Sequence, residues 1–203
     1  MQMADLMNDR LMRTAIKATL LARYRQDPET LILEELGLRH GAARVDIVVV
    51  NGMMHGFELK SDRDTLARLP DQVRVYSAVL DRVTLVVGCR RFEEAMRMVP
   101  DWWGLKLAEM GPHAAIHISD IRKPRKNPSP EAIAVAKLLW RDEAVALLDE
   151  ISTADGIRSK PRAVIYSRLA ELVDLDLLRS RVRRQLRRRR NWRSDERRRL
   201  DGG

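Results

Sequence analysis

Residues 44–87 read RVDIVVVNGMMHGFELKSDRDTLARLPDQVRVYSAVLDRVTLVV and hold the densest run of structural signals in the chain. Arg44 to Val50 is rich in Val and Ile, whose branched side chains suit a pleated sheet better than a helix. Asn51-Gly52 is a strong hairpin-turn signal, because glycine takes a left-handed conformation at little steric cost. Gly56 to Lys60 reads as the partner strand. After Ser61-Asp62, an N-cap by chemistry, the chain is helical in character, and Pro70 opens a helix running to about Leu80. Arg82 to Val87 is another strand. Hairpin, helix and strand in this order predict an α/β fold.

The same stretch carries the polar residues of interest. Asp46 lies in the first strand, Glu58 and Lys60 in the second, Gln72 and Tyr76 on the helix. A strand period of two puts Glu58 and Lys60 on one face, and the helical period does the same for Gln72 and Tyr76. Charges at the end of an apolar hairpin cost desolvation energy unless something holds them. Two carboxylates are the natural ligands of a divalent cation such as Mg²⁺, which keeps waters and accepts phosphate oxygens. A lysine beside it can hold a water or a scissile phosphate. Read singly, the same residues have plainer roles: Glu58 and Lys60 as alternating charges on an edge strand, Asp46 as an ion-pair partner of Arg44, Gln72 and Tyr76 as a polar helix face.

Hairpin register tests the shared site. Opposed residues in an antiparallel pair have a constant index sum and share a face. A two-residue Asn51-Gly52 turn gives a sum of 103, which sends Asp46 and Glu58 to opposite faces. A sum of 104 makes them direct partners. The chemistry therefore predicts a three- or five-residue loop centred on Gly52, or a bulge between Val48 and Phe57.

Asp46 followed by a strand Glu58-Leu59-Lys60 resembles the signature of the PD-(D/E)XK nuclease superfamily, the restriction-endonuclease-like proteins. Gln72 to Tyr76 is similar to the Q-x-x-x-Y helix of its RecB-type branch. The segments GAARVDIVVVNG, ELKSDRDTLARLPDQ, VPDWWG and LLWRDEA resemble a family of uncharacterised bacterial restriction-endonuclease-like proteins, over a span from about Glu34 into the C-terminal helices. Val45 stands where the superfamily's name has proline. The resemblance implies a mixed sheet flanked by helices and metal-dependent hydrolysis of DNA phosphodiesters. It implies Asp46 and Glu58 as ligands of Mg²⁺, with Mn²⁺ able to substitute, and the Leu59 carbonyl nearby. Lys60 would position and activate the water. Glu35, or else Glu34, would match an acidic residue on the first core helix, and Gln72 and Tyr76 would support the site and the DNA backbone.

Outward from this stretch, residues 3–25 form an amphipathic helix, and a short apolar segment, Leu31 to Leu36, precedes a loop bounded by Gly37 and Gly41. Phe92 to Val99 reads as helix, Pro100 to Gly104 as a turn, Ala114 to Ile118 as a short strand. Three prolines and a basic cluster in SDIRKPRKNPSP mark a linker at 121–130, which divides a nuclease-like domain, 1–120, from a helical module, 131–203. The net charge is +9, and residues 179–203 hold 12 Arg against three acids, so this tail accounts for the whole excess. An Arg-rich tail reads as a polyanion-binding element, with a solvated helix end as the plainer alternative. Lys160 and Arg162 at a helix start, with Arg183, Arg184, Arg187 and Arg188, are the candidate DNA contacts. The module equally fits a helical cap or a dimerising element.

His113 and His117, His55, His40 and the Trp102-Trp103 pair are weaker candidates, each with an ordinary surface, turn or packing role. The single cysteine, Cys89, rules out a disulfide framework and reads as a buried thiol in an apolar run. With no secretory signal and no run long enough to span a bilayer, a cytoplasmic bacterial protein with no membrane partner is expected. The leading expectation is a Mg²⁺-dependent deoxyribonuclease acting on DNA, with a homodimer as a further possibility. The alternatives are a non-catalytic nucleic-acid-binding protein on the same fold and an assembly subunit whose tail binds an acidic partner.

Overall fold

A computed structural model describes residues 7–189 apart from residues 8, 20, 25, 42, 152, 154 and 155. Helix α1 (Asp9–Thr19) leads into a three-stranded meander, β1 (Leu31–Leu38), β2 (Ala43–Val50) and β3 (Met54–Lys60). Helix α2 (Leu69–Ser77) crosses to β4 (Arg82–Gly88), and α3 (Phe92–Met98) crosses to β5 (Gly104–Met110). Strand β6 (Ile116–Arg122) closes the sheet, and α4 (Ala132–Ala136), α5 (Arg141–Glu150), α6 (Arg162–Leu172) and α7 (Leu175–Arg188) follow. The six strands lie in chain order. β1-β2-β3 and β5-β6 are antiparallel, while β3-β4 and β4-β5 are parallel. The parallel pairs are those joined through a helix, as a crossover requires. The result is a mixed α/β sheet flanked by helices, as expected.

Each sheet face has its own core. Met12 and Ile16 of α1 pack with Ile47, Phe57, Leu59 and Val86 on one face. On the other, Val48, Leu85 and Val87 join Tyr76 and Trp103 in one apolar cluster that continues through Leu148, Ile165, Leu178 and Val182. The C-terminal helices thus share this core with α2. The proline-rich segment between them and the sheet is fixed in place. The Arg125 N–H donates to the Trp102 carbonyl (2.8 Å) and the Glu131 N–H to that of Ala78 (2.8 Å). The Asn127 side-chain amide donates to the carbonyls of Ser77 (2.6 Å) and Leu80 (2.8 Å). Among the described residues no helix is long and apolar enough to cross a membrane.

The β2-β3 pairing runs Ile47↔Phe57, Val48↔Gly56, Val49↔His55, Val50↔Met54, a constant sum of 104. A three-residue loop, Asn51-Gly52-Met53, closes it, with Gly52 at φ +84°. Three other expectations differ. Leu31 to Leu38 is a strand, with Leu33, Leu36 and Leu38 directed into the core. Residues 61–68 are a loop, because the Asp64 carboxylate accepts from both the N–H and the hydroxyl of Ser61 (2.7 Å each) and closes a tight turn. β5 has an amphipathic, Lys- and Glu-bearing sequence and gave no strand signal of its own.

The Met54 end of β3 is fixed by Asp81, which is 3% exposed. Its carboxylate accepts from the Met54 N–H (2.6 Å) and pairs with the buried guanidinium of Arg179 on α7, with Arg183 at 3.6 Å. Removing one member of a buried pair leaves the other charge unmatched. Asp81→Ala should therefore lower unfolding stability by about 3–5 kcal/mol, and Arg179→Met, which keeps Asp81 bonded to Met54, by less. Urea melts of the two variants test that order.

Candidate functional site

At the other end of β3 the structure gathers Asp46, Glu58, Lys60, Gln72 and Tyr76. Glu58 is 2% exposed and Lys60 5%. Glu58 Oε1 accepts from Lys60 Nζ (2.7 Å) and from Gln72 Nε2 (2.6 Å), and Glu58 Oε2 lies 2.7 Å from the Tyr76 hydroxyl. β2 and β3 part beyond the Ile47↔Phe57 pair, and Asp46 enters the gap, its Oδ2 accepting from the Leu59 N–H (2.8 Å). The pairing register, carried one residue pair further, sets Asp46 opposite Glu58.

Burial pushes the Glu58 carboxyl up, the nearby charge of Asp46 adds to this, and Lys60 and Tyr76 offset only part, leaving it at about 7. The hydrogen-bond pattern agrees. The Tyr76 hydroxyl has one proton, and both the Arg44 carbonyl and Glu58 Oε2 are within its reach. A carbonyl can only accept, so a proton on Glu58 satisfies both contacts. Burial and the Glu58 charge likewise push the Tyr76 hydroxyl well above its usual range. The Gln72 Oε1 atom is buried without a hydrogen-bond partner.

Asp46, Glu58, Lys60 and Gln72 line a cleft of about 590 Å³ past the carboxyl end of β3, beside the first turn of α2, with Tyr76 buried behind them. That is where ligands settle in sheets with parallel crossovers. Arg39, Arg44, Arg68 and Arg74 also line it.

Glu35 departs from expectation. It sits on β1, at φ +54°, and not on a helix, because Leu31 to Leu38 pairs along β2. Its carboxylate lies 3.2 Å from Arg13 Nη1, and Glu34 instead pairs with Lys17 (2.7 Å). The acidic residues that helices do bring to the cleft are Asp71, in the first turn of α2, and Asp9, in the first turn of α1, with Arg13 one turn on. Sequence reasoning missed Asp9 and Arg13. Both fall in the amphipathic N-terminal helix, but nothing local tied Arg13 to Asp46, which it reaches at 2.9 Å.

None of the basic candidates of the C-terminal helices lines this cleft. Arg183 faces Asp81, and Arg187 pairs with Glu29 (2.6 Å), just ahead of β1. Both partners sit at the Met54 end of the sheet, and four residues of strand, about 13 Å, separate Met54 from Glu58. Arg184 and Arg188 have no carboxylate partner among the described residues and line a small groove between α5 and α7. Lys160 and Arg162 are exposed at the start of α6. Residues 190–203, which hold the rest of the tail and Trp192, lie outside the described residues. His55 is a core residue, its Nε2 2.8 Å from the Thr84 hydroxyl and its ring against Phe57. Trp103 is buried beside Tyr76. Cys89 is exposed, not buried, because β4 ends just before it.

A carboxyl raised from 4.5 to about 7 holds its proton in the fold at pH values where the unfolded chain has lost it. Stability should therefore fall as pH rises from about 4.5 to about 7, by a contribution on the order of 3 kcal/mol. Glu58→Gln should remove that dependence, as thermal melts from pH 4.5 to 8 in chelator will measure.

Residues 4–199 match the family described as Bacteriophage P4 protein cII. Protein cII of Enterobacteria phage P4 is 28% identical over 97 residues, covering 48% of this chain and 36% of that protein. The chain thus spans little more than a third of the length of that relative. A protein of unknown function from Silicibacter pomeroyi aligns over 78% of this chain and 100% of its own, at 19% identity and a TM-score of 0.43. Since the family match takes in all but the first three and last four residues, the chain belongs to the Bacteriophage P4 protein cII family.

Proposed function

We propose that this protein is a metal-dependent nuclease of the PD-(D/E)XK type, with a restriction-endonuclease-like fold, that hydrolyses DNA phosphodiester bonds. The observation that carries the reading is the pairing register of 104, which brings Asp46 and Glu58 together at one end of the hairpin with Lys60, Gln72 and Tyr76 around them. The donor set suits Mg²⁺ or Mn²⁺: two carboxylates, the Leu59 carbonyl between Glu58 and Lys60, and an orphaned buried amide oxygen on Gln72. The repulsion from Asp46 that raises Glu58 is the kind a divalent cation relieves.

In this reading Asp46 and Glu58 hold the metal, which when bound supplies Lewis acidity toward a phosphate and a nucleophilic water. Lys60 keeps its ammonium beside Glu58, where it orients the attacking water and faces developing negative charge on phosphorus. Gln72 and Tyr76 fix the Glu58 carboxylate through both oxygens. The arginines lining the cleft meet the flanking phosphates.

The second reading is a DNA-binding protein without turnover on the same scaffold. It is favoured by one observation: both Asp46 oxygens already have partners, Arg13 and the Leu59 N–H.

Incubation of plasmid and single-stranded DNA with Mg²⁺ or Mn²⁺ separates the two. Wild-type protein should cut, and Asp46→Asn and Lys60→Ala should each lose about a hundredfold or more in rate. DNA binding without cleavage in wild type and both variants would establish the second reading instead. The arginines of the cleft give an independent check. Arg39→Gln with Arg68→Gln should flatten the plot of log affinity against log salt by about two units, at about 0.9 for each phosphate no longer neutralised. An unchanged slope would remove the cleft from the DNA interface.

A further inference from the structure

Arg13 is anchored from α1 by Met12 and Ile16, both fully buried, and its guanidinium is enclosed by three carboxylates from three elements. Nη2 lies 2.9 Å from Asp46 Oδ1 on β2, Nη1 lies 3.2 Å from Glu35 on β1, and Nε lies 3.6 Å from Asp9 on α1. Asp46 Oδ2 is tied to the Leu59 N–H, so Oδ1 is the oxygen without a backbone bond, and Arg13 holds it. A divalent cation on that oxygen, at the roughly 2.1 Å typical of Mg²⁺, would sit beside a guanidinium nitrogen on the same atom. Two positive groups crowd one lone-pair region, and the cation carries the larger charge.

We infer that Arg13 is the resting occupant of the cation position, and that a divalent metal displaces it from Asp46 toward the phosphate of bound DNA. This rests on the metal-dependent reading above. Arg13 lines the same cleft as Lys60, and its side chain is 20% exposed, so it can leave Asp46 without unpacking α1. Its planar fork matches a phosphate as well as a carboxylate, which a lysine's point charge does not. Arg13 thereby holds Asp46 in place before metal arrives, then becomes a substrate-positioning residue.

Mn²⁺ binding to the full chain, followed by the electron paramagnetic resonance of the free ion, tests this without reference to turnover. Arg13→Gln should bind Mn²⁺ about tenfold more tightly than wild type, a gain of about 1.4 kcal/mol, while Asp46→Asn abolishes binding. Equal or weaker binding by Arg13→Gln, with Asp46→Asn still abolishing it, overturns the role of Arg13 and leaves the metal site standing. If neither wild type nor Arg13→Gln binds Mn²⁺ better than Asp46→Asn, both readings fall. In wild type, the Arg13 Nε–H resonance should shift on saturation with Mg²⁺, and an unmoved resonance in protein shown to bind Mg²⁺ overturns displacement. Arg13→Gln should also lose about tenfold in affinity for duplex DNA in Ca²⁺ and much less in chelator. An equal loss in both overturns the transfer to phosphate.

Discussion

A one-residue difference in the β2-β3 hairpin would dismantle the site. With two residues in the turn the index sum is odd, and Asp46 and Glu58 fall on opposite faces of the sheet. The third loop residue, Met53, and the left-handed Gly52 make the sum 104. The contacts of Glu58 with Lys60, Gln72 and Tyr76 on the face shared with Asp46 follow from that parity. Glu58 and Lys60 point to the α2 face, where Gln72 and Tyr76 reach them, while Phe57 and Leu59 fill the α1 face. Gly56 belongs to the same hairpin, and a Cβ there would meet Leu80 Cδ1 at 2.5 Å, so that side chain would have to shift.

Strand β3 is held by charge at both ends, in contrasting ways. At Met54, Asp81 is matched by a buried arginine and by the Met54 N–H. At Glu58 the compensation is incomplete. A second carboxylate lies close by, burial disfavours ionisation, and Lys60 and Tyr76 recover only part of the deficit. An anion kept near neutrality at its titration point, next to a cleft, is where binding of a cation changes most. The first end ties α7 to the sheet, and the second faces the cleft.

The Arg-rich C-terminal helix belongs to the first end. Arg179, Arg183 and Arg187 are engaged by Asp81 and Glu29, and Arg189 pairs with Glu143 and lies 4.3 Å over the Trp140 ring. These four of the 12 arginines of residues 179–203 are thus engaged in ion pairs within the fold. The positive groups around the cleft come from α1, the turn after β1, β2, β3, and α2 with its approach.

The sequence by itself determined the strands around Asp46 and Glu58 and the helix bearing Gln72 and Tyr76, because period is a local property. The even parity of the hairpin followed only from requiring a shared site, against the local two-residue turn signal of Asn51-Gly52. The family resemblance placed Glu35 on a helix, whereas pairing with β2 makes Leu31 to Leu38 a strand. Sequence reasoning passed over β5, whose Lys and Glu side chains are tolerated only because neighbouring strands supply its hydrogen bonds. It also passed over Arg13, whose role depends on a contact 33 positions away. What only the tertiary structure decided is which charges meet: Arg13 with Asp46, Arg179 with Asp81, and Glu58 with no full counterweight. Ion pairing acts through space over a few ångströms, and the distance along the chain carries almost no information about it.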